Sequence, residues 1–269
     1  MKLAIFQGPE QAADPGRNLD MLIKVADSAA QSGAHLLICP EMFLTGYNIG
    51  AAAVRELAEP ATGSWAQSVT RMAQSAGIAI LYGYPERGED GRIYNAAQLI
   101  DRDGRMVLAY RKTHLFGDID RAAFSAGATV PEIATLDGMK IGIVICYDVE
   151  SPEIVRSLAL KGADLIAVPT ALMQPFDIVA DTVIPTRAYE NQVFMAYANH
   201  CGAEGDLTYC GLSCIVAPDG SDLARCKRGQ ELIIADLDMH QLAESRKLNT
   251  HLKDRRPDLY GALVKDVRS

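Results

Sequence analysis

The sequence predicts a mixed α/β fold in which two sheets pack face to face and helices cover their outer faces. Short apolar runs alternate with segments of helical periodicity, and Asp-Gly turns join several of the runs. Crossovers through helices give parallel strand pairs, whereas Asp-Gly hairpins give antiparallel ones, so the sheets are expected to be mixed. A sheet covered by helices on one face must bury its other apolar face, and a second such sheet would do this.

Strands and helices alternate in the first third of the chain. The apolar runs predict strands at Leu3–Gln7, His35–Cys39 and Ile78–Tyr84, and the helical spacing predicts helices at Asn18–Gln31 and Trp65–Ser75. Gly33 and Gly77 follow the two helices, where glycine commonly ends a helix.

The middle of the chain is built differently, from hairpins. Asp103-Gly104 joins Ile93–Asp101 to Arg105–Lys112, and Asp137-Gly138 joins Glu132–Leu136 to Met139–Cys146. The pattern returns at Asp219-Gly220, between Ser213–Ala217 and a later strand near Leu232–Asp236. Further helices are predicted at Pro152–Lys161 and Val179–Asn191, with strands at Leu165–Val168 and Val193–Ala198.

Composition predicts a single globular domain over residues 1–269. The chain is 49% hydrophobic and 22% charged, which suits a packed core, and its net charge of -8 argues against nucleic-acid or anionic-membrane partners. The only apolar run near the start is Leu3–Phe6, too short for a signal peptide. None of the six cysteines forms a C-x-x-C pair, so we expect reduced thiols, a cytoplasmic location and no metal site.

Three strand-like segments end in a reactive side chain. Glu41 follows a Cys-Pro break, Lys112 ends the strand of a hairpin, and Cys146 ends an apolar strand just before a helix predicted to start near Pro152. Strand ends are where α/β sheets place functional groups, and helix N-terminal amides can stabilise a thiolate or an oxyanion. Taken singly, a cysteine in an apolar strand is more often a core residue, and the two charged residues could be ordinary surface groups.

The segments that carry these residues resemble three signature blocks of the nitrilase superfamily, the carbon–nitrogen hydrolases. They are HLLICPEMFLTGYN (35–48), YRKTHLF (110–116) and GIVICYDVESPE (142–153), in the family's order. The resemblance implies a four-layer αββα sandwich that forms homodimers or higher homo-oligomers and needs no cofactor. It also implies a catalytic set in which Cys146 is the nucleophile, Glu41 the general base and Lys112 the cationic stabiliser.

The same resemblance assigns supporting roles. The backbone N–H of Tyr147 would be a second donor to the oxyanion, and Asp120 stands where many relatives carry a glutamate that assists catalysis. Ser151 replaces the commoner phenylalanine of the third block. His114 is expected to be a hydrogen-bonded structural residue, and Arg187 and Glu190 are expected to pair on one helix.

Further segments resemble the 5-aminopentanamidase group of this superfamily, among them YGYPERGEDGRIYN (82–95) and ENQVFMAYANHCGAEG (190–205). The implied reaction is hydrolysis of 5-aminopentanamide to 5-aminopentanoate and ammonia. Tyr47 and Asn48 are candidates for the mouth of the pocket, although Tyr47 could equally be core. The substrate ammonium would need a carboxylate, for which Asp120, Glu204 and Asp206 are the candidates; a solvated loop is the alternative for the last two.

Other functions stay open on the sequence alone. A general aliphatic or R-stereoselective amidase and a nitrilase proper would use the same three catalytic residues. A papain-like Cys–His hydrolase would need a histidine partner for the cysteine, and a non-catalytic binding protein could share the fold. A metal amidohydrolase is disfavoured, because no H-x-H or H-E-x-x-H motif occurs.

Overall fold

The computed structural model describes residues 1–9 and 12–265. Its strands are β1 (Lys2–Gln7), β2 (Leu36–Ile38), β3 (Ala79–Arg87), β4 (Ile93–Ile100), β5 (Met106–Arg111), β6 (Ile133–Leu136), β7 (Met139–Ile143), β8 (Leu165–Pro169), β9 (Phe194–Ala198), β10 (Cys201–Glu204), β11 (Leu207–Cys210), β12 (Cys214–Val216), β13 (Asp222–Arg225) and β14 (Glu231–Asp236). Its α-helices are α1 (Pro15–Gln31), α2 (Gly50–Leu57), α3 (Ser64–Ala76), α4 (Gly117–Ala123), α5 (Pro152–Leu160), α6 (Ile184–Asn191) and α7 (Met239–Leu248).

Shorter helical segments complete the described structure. A 3-10 helix spans Cys146–Glu150, and a π-helical turn, Val179–Val183, leads directly into α6. Two further 3-10 helices, Pro257–Leu259 and Gly261–Val264, follow α7.

Twelve of these strands form two mixed sheets. The first sheet has the order β14-β1-β2-β3-β4-β5 and the second the order β13-β12-β9-β8-β7-β6, while β10 and β11 form a separate hairpin. Strands joined through helices pair in parallel, as β1 does with β2 and β7 with β8. Strands joined by the Asp-Gly turns at 103–104 and 137–138 pair antiparallel, as the sequence predicts.

The two sheets face each other and bury alternate residues of their strands. In β1, Leu3 and Ile5 lie in the core between the sheets, whereas Ala4 and Phe6 pack under α1 and α3. On the other side, α5 and α6 cover the outer face of the second sheet, where Ile166 and Val168 are buried. The predicted four-layer αββα arrangement is therefore confirmed.

Two strand predictions are corrected. The strand before Cys146 ends at Ile143, so Cys146 begins a 3-10 helix and is not the last residue of a strand. Asp219-Gly220 joins β12 to β13, and not to Glu231–Asp236, which crosses to the first sheet and pairs with β1. The sequence patterns also missed α2, α4, α7 and the β10–β11 hairpin.

Within residues 1–9 and 12–265, no helix has both the length and the apolar character needed to cross a membrane.

Candidate active site

Lys112 lies at the centre of a fully buried cluster of charges. It follows β5, and its Nζ lies 2.7 Å from Glu41 Oε1 and 2.7 Å from Asp120 Oδ2, with all three side chains inaccessible to solvent. Burial disfavours the lysine charge, but Glu41, Cys146 and Asp120 more than compensate for this, so the pKa of Lys112 lies well above its ordinary value. The lysine is therefore a fixed positive charge.

Glu41 occupies the turn after β2, where Cys39-Pro40 ends the strand. Its Oε1 accepts a hydrogen bond of 2.6 Å from Asn95 Nδ2 on β4, and its backbone carbonyl accepts one of 2.6 Å from His200 Nε2. Its other carboxylate oxygen, Oε2, is buried and has no hydrogen-bond partner among the described residues. Burial raises the pKa of this carboxyl and Lys112 opposes the rise, which leaves an oxygen suited to accepting a proton.

Cys146 lies on a strained turn of the backbone. Its φ is +47°, in the left-handed region that non-glycine residues rarely adopt. Hydrogen bonds link its sulfur to the side chain of Thr170 and to the N–H of Ala171. Burial and the Glu41 carboxylate raise the pKa of the thiol while Lys112 opposes them, so the thiol stays protonated until a base takes its proton. The structure thus places Glu41, Lys112 and Cys146 in one site, where Lys112 contacts Glu41 and both charges act on the Cys146 thiol.

Asp148 connects the turn at Cys146 to the segment that follows Lys112. Its buried carboxylate accepts hydrogen bonds from the N–H of Ile145 at 3.1 Å, the hydroxyl of Tyr110 at 3.0 Å and that of Thr113 at 3.0 Å. His114 adds two more, from its N–H and from Nδ1, each at 2.8 Å. The expected structural role of His114 is therefore its contact with Asp148, which fixes the residues after Lys112 against those around Cys146.

Arg187 holds the carboxyl end of the 3-10 helix that begins at Cys146. Its Nε donates to the carbonyl of Val149 and its Nη2 to that of Glu150, both at 2.9 Å. Its Nη1 donates at 2.9 Å to Glu190, the pair that the sequence predicts. The guanidinium satisfies carbonyls at the carboxyl end of a short helix, where intrahelical donors are missing.

Asp120 contacts the lysine directly, and Tyr47 holds Asp120. The Tyr47 hydroxyl donates to Asp120 Oδ1 at 2.9 Å, and the N–H of Phe116 donates to Asp120 Oδ2 at 2.8 Å. Tyr47 is only 3% exposed, which fits the core interpretation better than a place at the mouth. Asp120 is on α4, so this aspartate reaches the lysine despite being shorter than the glutamate of many relatives.

Glu204 does not lie in a solvated loop. It is buried at the end of β10, where its carboxylate accepts from the N–H groups of Tyr47 and Asn48 and from the hydroxyl of Tyr209. Asn48 is partly buried, and its Nδ2 donates to Glu204 and to Asp206. Asp206 itself is exposed in the turn of the hairpin. These contacts hold residues 47 and 48, which follow Glu41 in the chain. The carboxylates of Asp120 and Glu204 are thus both hydrogen-bonded to other groups of the protein.

An aromatic cluster includes Tyr147, the residue that follows Cys146 in the chain. Phe116 packs edge to face on Tyr147, with 5.4 Å between ring centroids, and on Phe176, with 6.0 Å. Phe176 is 42% exposed, so this cluster extends from the residue after Cys146 to the surface. The backbone N–H of Tyr147 is the second in its 3-10 helix, a position without an intrahelical acceptor.

Comparison with known proteins decides the family. The sequence profile of the carbon-nitrogen hydrolases matches residues 2–247. The chain belongs to this family. The resemblance to the nitrilase superfamily is thereby confirmed, and the fold of this carbon-nitrogen hydrolase agrees with solved amidase structures of that superfamily.

Three similar proteins illustrate the relationship. This carbon-nitrogen hydrolase is 54% identical over 265 residues to the "hydrolase in pqqF 5′region" of Pseudomonas protegens, covering 98% of this chain and 92% of that protein. It is 34% identical over 262 residues to the (R)-stereoselective amidase of a Pseudomonas species, covering 97% and 93%. A mutant of the amidase from Nesterenkonia sp. AN1, solved after Michael addition of acrylamide at its active-site cysteine, superposes with a TM-score of 0.85 at 33% identity, covering 98% and 100%.

Sequence reasoning missed several residues of the site. Asn95 stands inside a strand, where asparagine is disfavoured, and this could have indicated a functional role. Thr170 follows the carboxyl end of the parallel strand β8, a position where α/β sheets place functional groups. Asp148 lies two residues after the nucleophile, and only its distant partners show what it does.

Gly83 should prove essential to the position of Glu41. A Cβ at Gly83 would lie 3.0 Å from the Cα and the carbonyl carbon of Glu41, and closer still to the amide nitrogen of Met42. Because these are backbone atoms, Gly83→Ala must displace Glu41, and we expect kcat to fall about a hundredfold. Gly16→Ala is the control, since its Cβ would meet Asp14 at an ordinary 3.5 Å. Unchanged kcat in Gly83→Ala would contradict the close approach.

The His114–Asp148 contact predicts a pH-dependent stability. Asp148 raises the pKa of His114, so the protonated ring stabilises the fold below about pH 6.5, and this is lost as pH rises through the raised pKa. The stability difference between the wild type and His114→Gln should therefore be larger near pH 5.5 than near pH 9, by less than about 1 kcal/mol, since the ring is 36% exposed. Urea unfolding followed by circular dichroism measures it; equal differences at both pH values would contradict the prediction.

Proposed function

We propose that this protein is a cytoplasmic amidase that hydrolyses a small primary amide through a thioester on Cys146, with 5-aminopentanamide as its substrate. The observation that carries the proposal is Glu41 Oε2, which is buried without a hydrogen-bond partner among the described residues and belongs to a carboxylate that contacts Lys112 and acts on the Cys146 thiol. The six free cysteines fit a reducing compartment. The amidases among similar proteins support the reaction class.

In the first half-reaction, Glu41 accepts the thiol proton while the sulfur of Cys146 attacks the amide carbon. The negative charge that develops on the amide oxygen is stabilised by Lys112 and by the backbone N–H of Tyr147. Glu41 then gives its proton to the amide nitrogen, the carbon–nitrogen bond breaks, and ammonia leaves a thioester behind.

In the second half-reaction, Glu41 takes a proton from water, which attacks the thioester carbon. The tetrahedral adduct collapses, the carbon–sulfur bond breaks, and Glu41 returns its proton to the sulfur as the carboxylic acid departs. Asp120 contributes by holding Lys112 in place and balancing its charge, since the ammonium contacts both carboxylates at once. A nitrile would meet the same three groups, so matched nitriles belong in any substrate panel.

Substitution of the three groups tests the mechanism. Cys146→Ala should abolish ammonia release, and Glu41→Gln and Lys112→Met should each lower kcat at least about a hundredfold, the effect of losing a general base or an oxyanion donor. Cys226→Ala, at a buried free cysteine elsewhere in the fold, is the control and should keep most of the activity. Circular dichroism verifies folding, and turnover by folded Cys146→Ala above a few per cent of wild type would exclude the proposed nucleophile.

The predicted homodimer stays a proposal, supported by one surface. Leu160 on α5 is 48% exposed and lines a groove with Leu263 and Val264, which are 63% and 87% exposed. Large apolar patches of this kind commonly mark contacts between protein chains. Light scattering should give at least twice the monomer mass, and Leu160→Glu should shift it toward the monomer. A monomer at micromolar concentration would contradict the proposal.

A further inference from the structure

The proposed substrate carries an ammonium group. Two of the carboxylates expected to bind it, Asp120 and Glu204, are already bonded to other groups of the protein. Asp120 contacts Lys112, Tyr47 and the N–H of Phe116, and Glu204 binds two backbone N–H groups and Tyr209. Asp206 is exposed in a turn and accepts from Asn48. A cation entering the site needs a carboxylate that is near the nucleophile and still able to accept hydrogen bonds.

Glu150 has this combination. It is the last residue of the 3-10 helix that begins at Cys146, and its side chain is partly buried. Across residues 1–9 and 12–265, its carboxylate takes part in neither a hydrogen bond nor an ion pair, whereas its backbone carbonyl accepts a hydrogen bond from Arg187. The backbone of Glu150 is therefore fixed while its carboxylate remains able to bind a ligand.

Glu150 lies one turn of the 3-10 helix after Tyr147, so the two side chains share a face of that helix, and on this face the ring of Tyr147 packs on Phe116. The Glu150 carboxylate also acts on groups of the site. It interacts electrostatically with Lys112 and with Tyr197, whose hydroxyl contacts Thr170 at 3.2 Å, and Thr170 in turn contacts the sulfur of Cys146. Burial raises the pKa of Glu150, with Arg187 and Lys112 opposing the rise. The guanidinium of Arg187 is itself bonded to Val149, Glu150 and Glu190, so it is already occupied.

Charge and spacing both suit a cationic substrate. The buried cluster holds two carboxylates and one ammonium, and Glu150 adds another acidic group on the same side. A 3-10 helix rises about 2 Å per residue, so Glu150 starts roughly 8 Å beyond Cys146 along its axis. In extended 5-aminopentanamide the ammonium nitrogen stands five bonds from the amide carbon. With the amide carbon at Cys146, the ammonium group would therefore extend a distance comparable to that between Cys146 and Glu150.

We propose that Glu150 is the residue that recognises the substrate's cationic end, and that it selects primary amides with a terminal ammonium over uncharged amides of the same length. The proposal rests on the amidase function above and adds a specificity residue to it. Phe116 and Tyr147 stand beside the nucleophile and suit the methylene chain between the two ends.

The test compares 5-aminopentanamide with pentanamide by kcat/KM, in the wild type, Glu150→Gln, Glu150→Asp and Asp206→Asn. The wild type should prefer the cationic amide at least about tenfold, the scale of one charge-assisted contact. Glu150→Gln should bring the ratio close to one, mainly through KM of the cationic amide, and Glu150→Asp should keep part of the preference. Asp206→Asn, the matched control, should keep the wild-type ratio.

The outcomes separate the two proposals. Labelling of Cys146 by iodoacetamide at the wild-type rate shows that the nucleophile is intact in each variant. If the wild type hydrolyses neither amide, the proposed function and this inference both fail. If it hydrolyses both with equal kcat/KM, if Glu150→Gln retains the preference, or if Asp206→Asn loses it, the amidase function stands and the role of Glu150 is excluded.

Discussion

A positive charge without access to solvent lies at the centre of this molecule. Removing an ammonium from water is unfavourable by several kcal/mol, and Lys112 is tolerated because Glu41 and Asp120 each approach its nitrogen to 2.7 Å. Asp120 in turn is held by Tyr47, and Tyr47 by Glu204. Asp120, Tyr47 and Glu204, which the sequence suggested as substrate-binding residues, thus form a chain of contacts that ends at Lys112.

The sequence predicts the parts of this fold that depend on neighbouring residues. The Asp-Gly hairpins at 103–104 and 137–138 form as expected, because turn type and strand pairing are encoded within a few residues. The partner of β14 was misassigned, since β1 lies at the opposite end of the chain and no local pattern connects them. The catalytic set was predicted through family resemblance, whereas the partners of Glu204 and Asp148 required the folded chain.

Local rules are broken where the chemistry is proposed to occur. Cys146 and Met42 both have positive φ values, and a buried oxygen of Glu41 lacks a partner among the described residues. Such features are each unfavourable by about 1–3 kcal/mol and persist only when their surroundings hold them. Here Gly83 leaves room for the turn that carries Glu41. Asp148 and Arg187 fix the two ends of the 3-10 helix that begins at Cys146.

The pairing of β1 with β14 has a consequence for the order of events during synthesis. One edge of β1 stays without its neighbour until residues 231–236 have left the ribosome, by which time Glu41, Lys112 and Cys146 have long been made. An open strand edge is a template for pairing with other chains. From the synthesis of Cys146 until residues 231–236 emerge, the nascent protein therefore carries its cysteine and an unpaired strand edge together, and its last strand removes that edge when it closes the sheet.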